Sequence, residues 1–200
     1  MKLTLKSNLE NKGYIVSLFS NKEEASKYLN TKIFNKTVGF GGSITLHEMN
    51  LYDTLSKHNK IYWHDKKPEG MSISETRAAA SKSEVYISSV NAISMQGEIV
   101  NIDNTGNRVA AISYGPKNIY LIIGLNKITN DLESAIYRAR NIASPLNAKR
   151  LNRNTPCAIK GDRCYNCDSD ERICRNLSIL LTKPTGAEYE IILIDEILGY

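Results

Sequence analysis

Short apolar runs alternate with helical stretches from residue 14 to residue 143, and this rhythm constrains the chain more than any other feature of its sequence. Residues 14–19 (YIVSLF) read as a buried strand. Asn21, with Glu24 three positions later, opens a helix through about Ile33 in the manner of a capping box. A short strand over 37–40 runs into Gly41 and Gly42. From Ser43 to about His58, Ile44, Leu46, Leu51 and Leu55 then fall at roughly helical spacing. The unit repeats with a strand over 61–64, an alanine-rich helix over 74–82 and a β-branched strand over 84–90. After a turn at 95–97 come an extended run (98–102), a helix (107–113), the apolar strand 119–123 and an amphipathic helix (131–143).

Strands that alternate with helices in this way predict an α/β fold with a mostly parallel sheet and helices on both faces. Ligands of such sheets bind in the crevice beyond the carboxyl ends of the strands, so function belongs in the loops that follow them. The remainder, 145–175, reads as loop-rich and basic. Two apolar runs, 177–182 and 190–194, separated by Pro184-Thr185-Gly186, read as an antiparallel pair.

At 200 residues the chain suits one domain, 1–200, and its 42% hydrophobic and 24% charged residues are those of a soluble globular protein. The net charge of +5 is spread through interleaved acids and bases, which gives no basic arm for nucleic acid or membrane and favours a small anionic ligand. Neither a signal peptide nor a membrane-spanning run is visible, and a cytoplasmic location is expected. Cytosolic thiols are kept reduced, so the four cysteines need a reason other than structural disulfides.

Three groups of residues have the chemistry of a site. Gly41, Gly42, Ser43 and Thr45 lie where a strand turns into a helix. There glycines let the backbone approach a ligand, free N–H groups favour phosphate or carboxylate, and hydroxyls add contacts. The same residues also suit a plain tight turn capped by Ser43. Asn91, Asn101, Asp103, Asn107 and Arg108 then cluster around the predicted crevice, more hydrogen-bonding groups than a turn requires. Arg108 has the planar fork of an anion clamp. Asn147 and Arg150 are further candidate contacts, against a solvated basic face as the plainer reading.

The third group is Cys157-x6-Cys164-x2-Cys167-x6-Cys174, set among Lys160, Arg163, Arg172 and Arg175 within 156–175. Two cysteines separated by two residues can grip one metal ion. Two more at symmetric distances complete a four-thiolate shell for zinc or an iron–sulfur cluster, and nearby positive charge favours thiolates. The spacing is neither that of common zinc fingers nor that of ferredoxins, so zinc, iron–sulfur and unmetallated or disulfide-bonded thiols all stay open. His47, His58 and His64 lack the spacing of a metal pair and read as surface or packing residues.

Taken in order, TVGFGGSITLHEM from Thr37, NAISMQGEIVNIDNTGNRVAA from Asn91, RNIASPLNAKRL from Arg140 and PCAIKGDRCYNCDSDERICR from Pro156 resemble the LUD domain (lactate utilisation, LutC-like) family, in a CxxC-containing variant. The resemblance spans nearly the whole chain. It implies a fold similar to the NagB/RpiA/CoA transferase-like proteins, with glycine-rich strand-end loops that hold phosphorylated or carboxylated ligands. It also implies a role as a ligand-binding component beside iron–sulfur proteins of L-lactate oxidation. The competing expectation is a stand-alone isomerase or transferase acting on a small phosphorylated or acyl substrate. Residues 91–101 also look like the segment of methylthioribose-1-phosphate isomerase relatives in which an Asp supplies catalysis. This chain has Asn91 there, which is neither acid nor base. The chain also begins close to its first predicted strand, so a helix carried by longer relatives is expected to be missing. Nucleic acid is not an expected partner, because Tyr165 is the one aromatic residue interleaved with the basic charges of 156–175.

Overall fold

The computed structural model describes residues 2–200. Six strands form a parallel sheet in the order β1-β10-β7-β4-β2-β3: β1 (Ile15–Phe19), β2 (Thr37–Phe40), β3 (Lys60–Trp63), β4 (Val85–Ser89), β7 (Asn118–Gly124) and β10 (Glu188–Ile194). A smaller sheet, in the order β8-β5-β6-β9, contains β5 (Ala92–Ser94), β6 (Ile99–Asp103), β8 (Ile128–Thr129) and β9 (Asn176–Leu180).

Helices cover both faces of the large sheet, as the sequence leads one to expect. Leu5 and Leu9 of α1 (Lys2–Asn11), Ala80 of α5 (Ile73–Ser81) and Ala111 and Ile112 of α6 (Asn107–Ser113) pack on Tyr86, Leu121 and Ile191. On the other face, Ala25 and Leu29 of α2 (Lys22–Lys32), Leu46 of α3 (Ile44–Glu48) and Leu51 and Leu55 of α4 (Leu51–Leu55) pack on Val38, Ile87, Ile122 and Ile192. β4 is buried along its whole length, which explains its unbroken run of Val85, Tyr86 and Ile87 rather than an alternating pattern.

The structure departs from the sequence reading in four places. A helix, α1, does precede the first strand and supplies two fully buried leucines. The helix expected over 43–58 is broken into α3 and α4 by Asn50, which takes a left-handed conformation (φ 49°) that its short polar side chain tolerates. The last two strands are not a hairpin. β10 lies parallel between β1 and β7, whereas β9 pairs antiparallel with β6 in the other sheet. Finally, 145–175 is less loop-rich than expected, because the helix α7 (Leu132–Arg138) continues through a π turn (Ala139–Ala143) into α8 (Ser144–Arg150), and α9 (Pro156–Lys160) follows. The wide turn accommodates Pro145, which has no N–H for the regular ladder, while Ser144 Oγ donates to the Ala139 carbonyl at 2.8 Å.

Among the described residues, no helix is long and apolar enough to cross a membrane.

Candidate functional site

β2 and β4 are neighbours in the sheet, but the chain leaves them toward opposite faces: from β2 into α3, and from β4 through β5 and β6 into α6. Such a point opens a crevice at the carboxyl ends of the strands. A cavity of about 330 Å³ lies there, within the range of small-molecule sites.

Most of the residues singled out in the sequence meet in this cavity. Gly42, Ser43 and Thr45 arrive from β2, Asn91 from β4, Asp103 from β6, Asn107 and Arg108 from α6, and Asn147 and Arg150 from α8. Two residues are exceptions: Gly41 lies beneath the wall, where a Cβ would fall 2.4 Å from Ser88 Oγ, and Asn101 is buried behind it, where its Oδ1 accepts from the Asn91 N–H at 3.3 Å. At Gly42 a Cβ would stand 3.1 Å from His64 Nε2, so the absence of a side chain keeps this side of the crevice open.

Arg108 is held in the wall rather than extended toward a ligand. Its Nη2 donates to Asn91 Oδ1 at 3.0 Å and to the Ile102 carbonyl at 2.6 Å, its Nη1 to the Ser89 carbonyl at 3.3 Å, and its Nε to Asp103 Oδ1 at 3.4 Å. Asp103 Oδ2 in turn accepts from the backbone N–H groups of Arg108 and Val109 and so caps the start of α6. Asn91 Oδ1 also accepts from the Ile102 N–H at 2.7 Å. These residues brace the crevice by tying the ends of β4 and β6 to α6. Arg150 is braced too, donating to Asn147 Oδ1 and to Tyr200 Oη.

The site also contains residues that the sequence did not single out. Lys127, just beyond β7, is 3% exposed and lines the cavity. Its Nζ donates to Ser89 Oγ at 2.7 Å and to Thr45 Oγ1 at 2.9 Å. Burial first, then the positive charges of Arg138 and Arg108, push its pKa down to about 7. Arg77, from α5, has a buried Nε with no hydrogen-bond partner and donates through Nη1 to Thr105. His64 follows β3 and faces the crevice instead of the surface. Burial lowers its pKa, against the opposing pull of Asp65. Four guanidinium groups, those of Arg77, Arg108, Arg150 and Arg153, line the cavity with the amine of Lys127 against two carboxylates, Asp65 and Asp103, and Asp103 is already paired. The one signal available in the sequence was position, since Lys127 and His64 both follow strand ends.

All four cysteines line a second, small cavity together with Arg140, Tyr165 and Arg172. Ser144 and Ile173 line both cavities, so a single layer of side chains separates the thiols from the crevice. The donor chemistry suits a thiophilic metal or cluster. Among the described residues, however, no three His, Cys, Asp or Glu side chains are gathered closely enough to form a ligand set.

The fold and the crevice define a parallel α/β protein, covered on both faces, with its polar cavity at a topological switch point. The chain belongs to the LUD domain family, whose model matches residues 4–194 and which is associated with lactate utilisation. In fold it is similar to a DUF162 family protein from Deinococcus radiodurans, with a TM-score of 0.56 and 9% identity over 96% of this chain and 95% of that one. None of the curated proteins compared with the chain matches it.

Proposed function

We propose that the crevice binds a small anion, a carboxylate or phosphate, and that the protein serves lactate oxidation as a ligand-binding component beside iron–sulfur proteins. The observation that carries the anion reading is the uncompensated positive charge of the cavity. Of the four guanidinium groups that line it, only Arg108 is paired with a carboxylate, whereas Arg77, Arg150 and Arg153 make no ion pair among the described residues. Positive charges gathered in a partly desolvated cavity without carboxylate partners are costly, and an anion in the crevice compensates them. The lactate context rests on family membership. The rival isomerase reading draws less support, because the side-chain oxygen of Asn91 is occupied by Ile102 and Arg108.

We further propose that Cys157, Cys164, Cys167 and Cys174 hold zinc or an iron–sulfur cluster, which would supply a structural or redox centre next to the crevice. Support comes from the four thiols sharing one cavity.

Calorimetric titration with lactate, pyruvate, inorganic phosphate and sugar phosphates tests the anion reading. Binding of at least one of these is expected, weakened by roughly tenfold, about 1.4 kcal/mol, in Arg77→Ala. Equal affinity in both proteins would remove Arg77 from the site, and no binding of any anion would overturn the reading. Turnover of a sugar phosphate by the isolated protein would favour the isomerase.

A further inference from the structure

The hydrogen bonds around Lys127 leave one tetrahedral position of its Nζ without a protein partner, on the side of the crevice. Ser89 Oγ donates its own hydrogen to the Ile122 carbonyl at 2.6 Å, and Thr45 Oγ1 has the Leu198 carbonyl as an acceptor at 3.3 Å. With their hydrogens directed there, both hydroxyls serve Lys127 as acceptors. A neutral amine has two N–H groups and one lone pair. The two hydroxyls satisfy both N–H groups and leave the lone pair free, on a side chain that lines the crevice.

We propose that Lys127 is a carbonyl-capturing amine that forms an imine with a small 2-oxo carboxylate held in the crevice. The idea rests on the anion-binding reading and names the substrate class for that site. The lone pair of Nζ attacks the 2-oxo carbon, the carbonyl oxygen takes up a proton, and loss of one water from the resulting carbinolamine leaves a C=N bond. No oxidant or reductant is required. The carboxylate is held by the guanidinium groups of the crevice that have no carboxylate partner, Arg77 foremost. A lysine becomes nucleophilic near neutral pH when it is desolvated and set beside other cations. Lys127 meets both conditions, with Arg138 and Arg108 as the neighbouring cations and Glu48 as the opposing anion. A 2-oxo carboxylate is also the oxidised counterpart of a 2-hydroxy carboxylate such as lactate, which places this chemistry on the product side of an oxidation.

The test is to incubate the full chain with pyruvate and cyanoborohydride near neutral pH and to map the modified lysines by mass spectrometry. The expected result is a gain equal to pyruvic acid less one oxygen atom, confined to the peptide containing Lys127, lost in Lys127→Arg and reduced in Arg77→Ala. Mapping of the wild-type protein does not depend on whether a variant folds. Modification spread over surface lysines, or unchanged by excess inorganic phosphate where phosphate binds, would overturn the proposal. Calorimetry with phosphate and lactate separates the two levels of the argument. Anion binding without any adduct refutes the imine and leaves the anion site standing, whereas absence of both refutes the anion site itself.

Discussion

Lys127→Met should change the pH dependence of stability in a defined direction. In the folded protein the Lys127 pKa lies near 7, against an ordinary value of 10.5, so between these values the unfolded chain binds more protons than the folded one. Stability therefore rises with pH through this window, and below pH 7 the full penalty of a buried ammonium is present. Only that group is lost in the variant, and the other titrations cancel in the comparison. Between pH 7 and pH 9 the wild type should gain about 2 kcal/mol relative to Lys127→Met, on the basis of 1.36 kcal/mol per pKa unit. Urea unfolding followed by circular dichroism at pH 6, 7, 8 and 9 gives the difference directly, with buffers free of phosphate and carboxylate so that ligand binding does not add to the stability of either protein. Parallel stability curves for the two proteins would refute the account of Lys127 as a buried, unpaired lysine.

Two further outcomes follow from the same geometry. Arg108→Ala should cost roughly 2–4 kcal/mol of folding stability, since it removes hydrogen bonds to Asn91, Ser89, Ile102 and Asp103; Arg108→Lys should recover only part, because an ammonium cannot span these acceptors. Loss of anion affinity at unchanged stability would instead place Arg108 on the ligand. Protein purified without oxygen should carry zinc or iron bound to the four cysteines, detected by elemental analysis and absorption spectroscopy and lost in Cys164→Ser/Cys167→Ser; four titratable free thiols and no metal would contradict this.

The large sheet was legible because its strands are local, continuous apolar runs, and the glycine turn after β2 marked one lip of the crevice. β10 misled because Pro184-Thr185-Gly186 precedes it. Its buried, unbroken Tyr189 and Ile191–Ile194 nevertheless have the composition of a strand covered on both faces, whereas β9 is exposed along much of its length, as an edge strand is. Arg108 was legible as a site residue but not as a brace. Its acceptors are two backbone carbonyls, of Ser89 and Ile102, and the side chains of Asn91 and Asp103, and the sequence does not show that the return of β6 brings them together. Lys127 sits in an unremarkable LNKIT segment. Its burial is produced by Thr45, Ser89 and the 198–200 segment closing around it, contacts that are remote in sequence.

Heteronuclear NMR titration with the anion that binds most tightly tests the central claim most directly. The account predicts that the largest amide shifts fall on Gly42, Ser43 and Thr45, with accompanying changes at Lys127 and the Arg77 Nε–H, all within the crevice between β2 and β4. Shifts centred on the cysteine segment or on the exposed side of β9, with the crevice unperturbed, would contradict it.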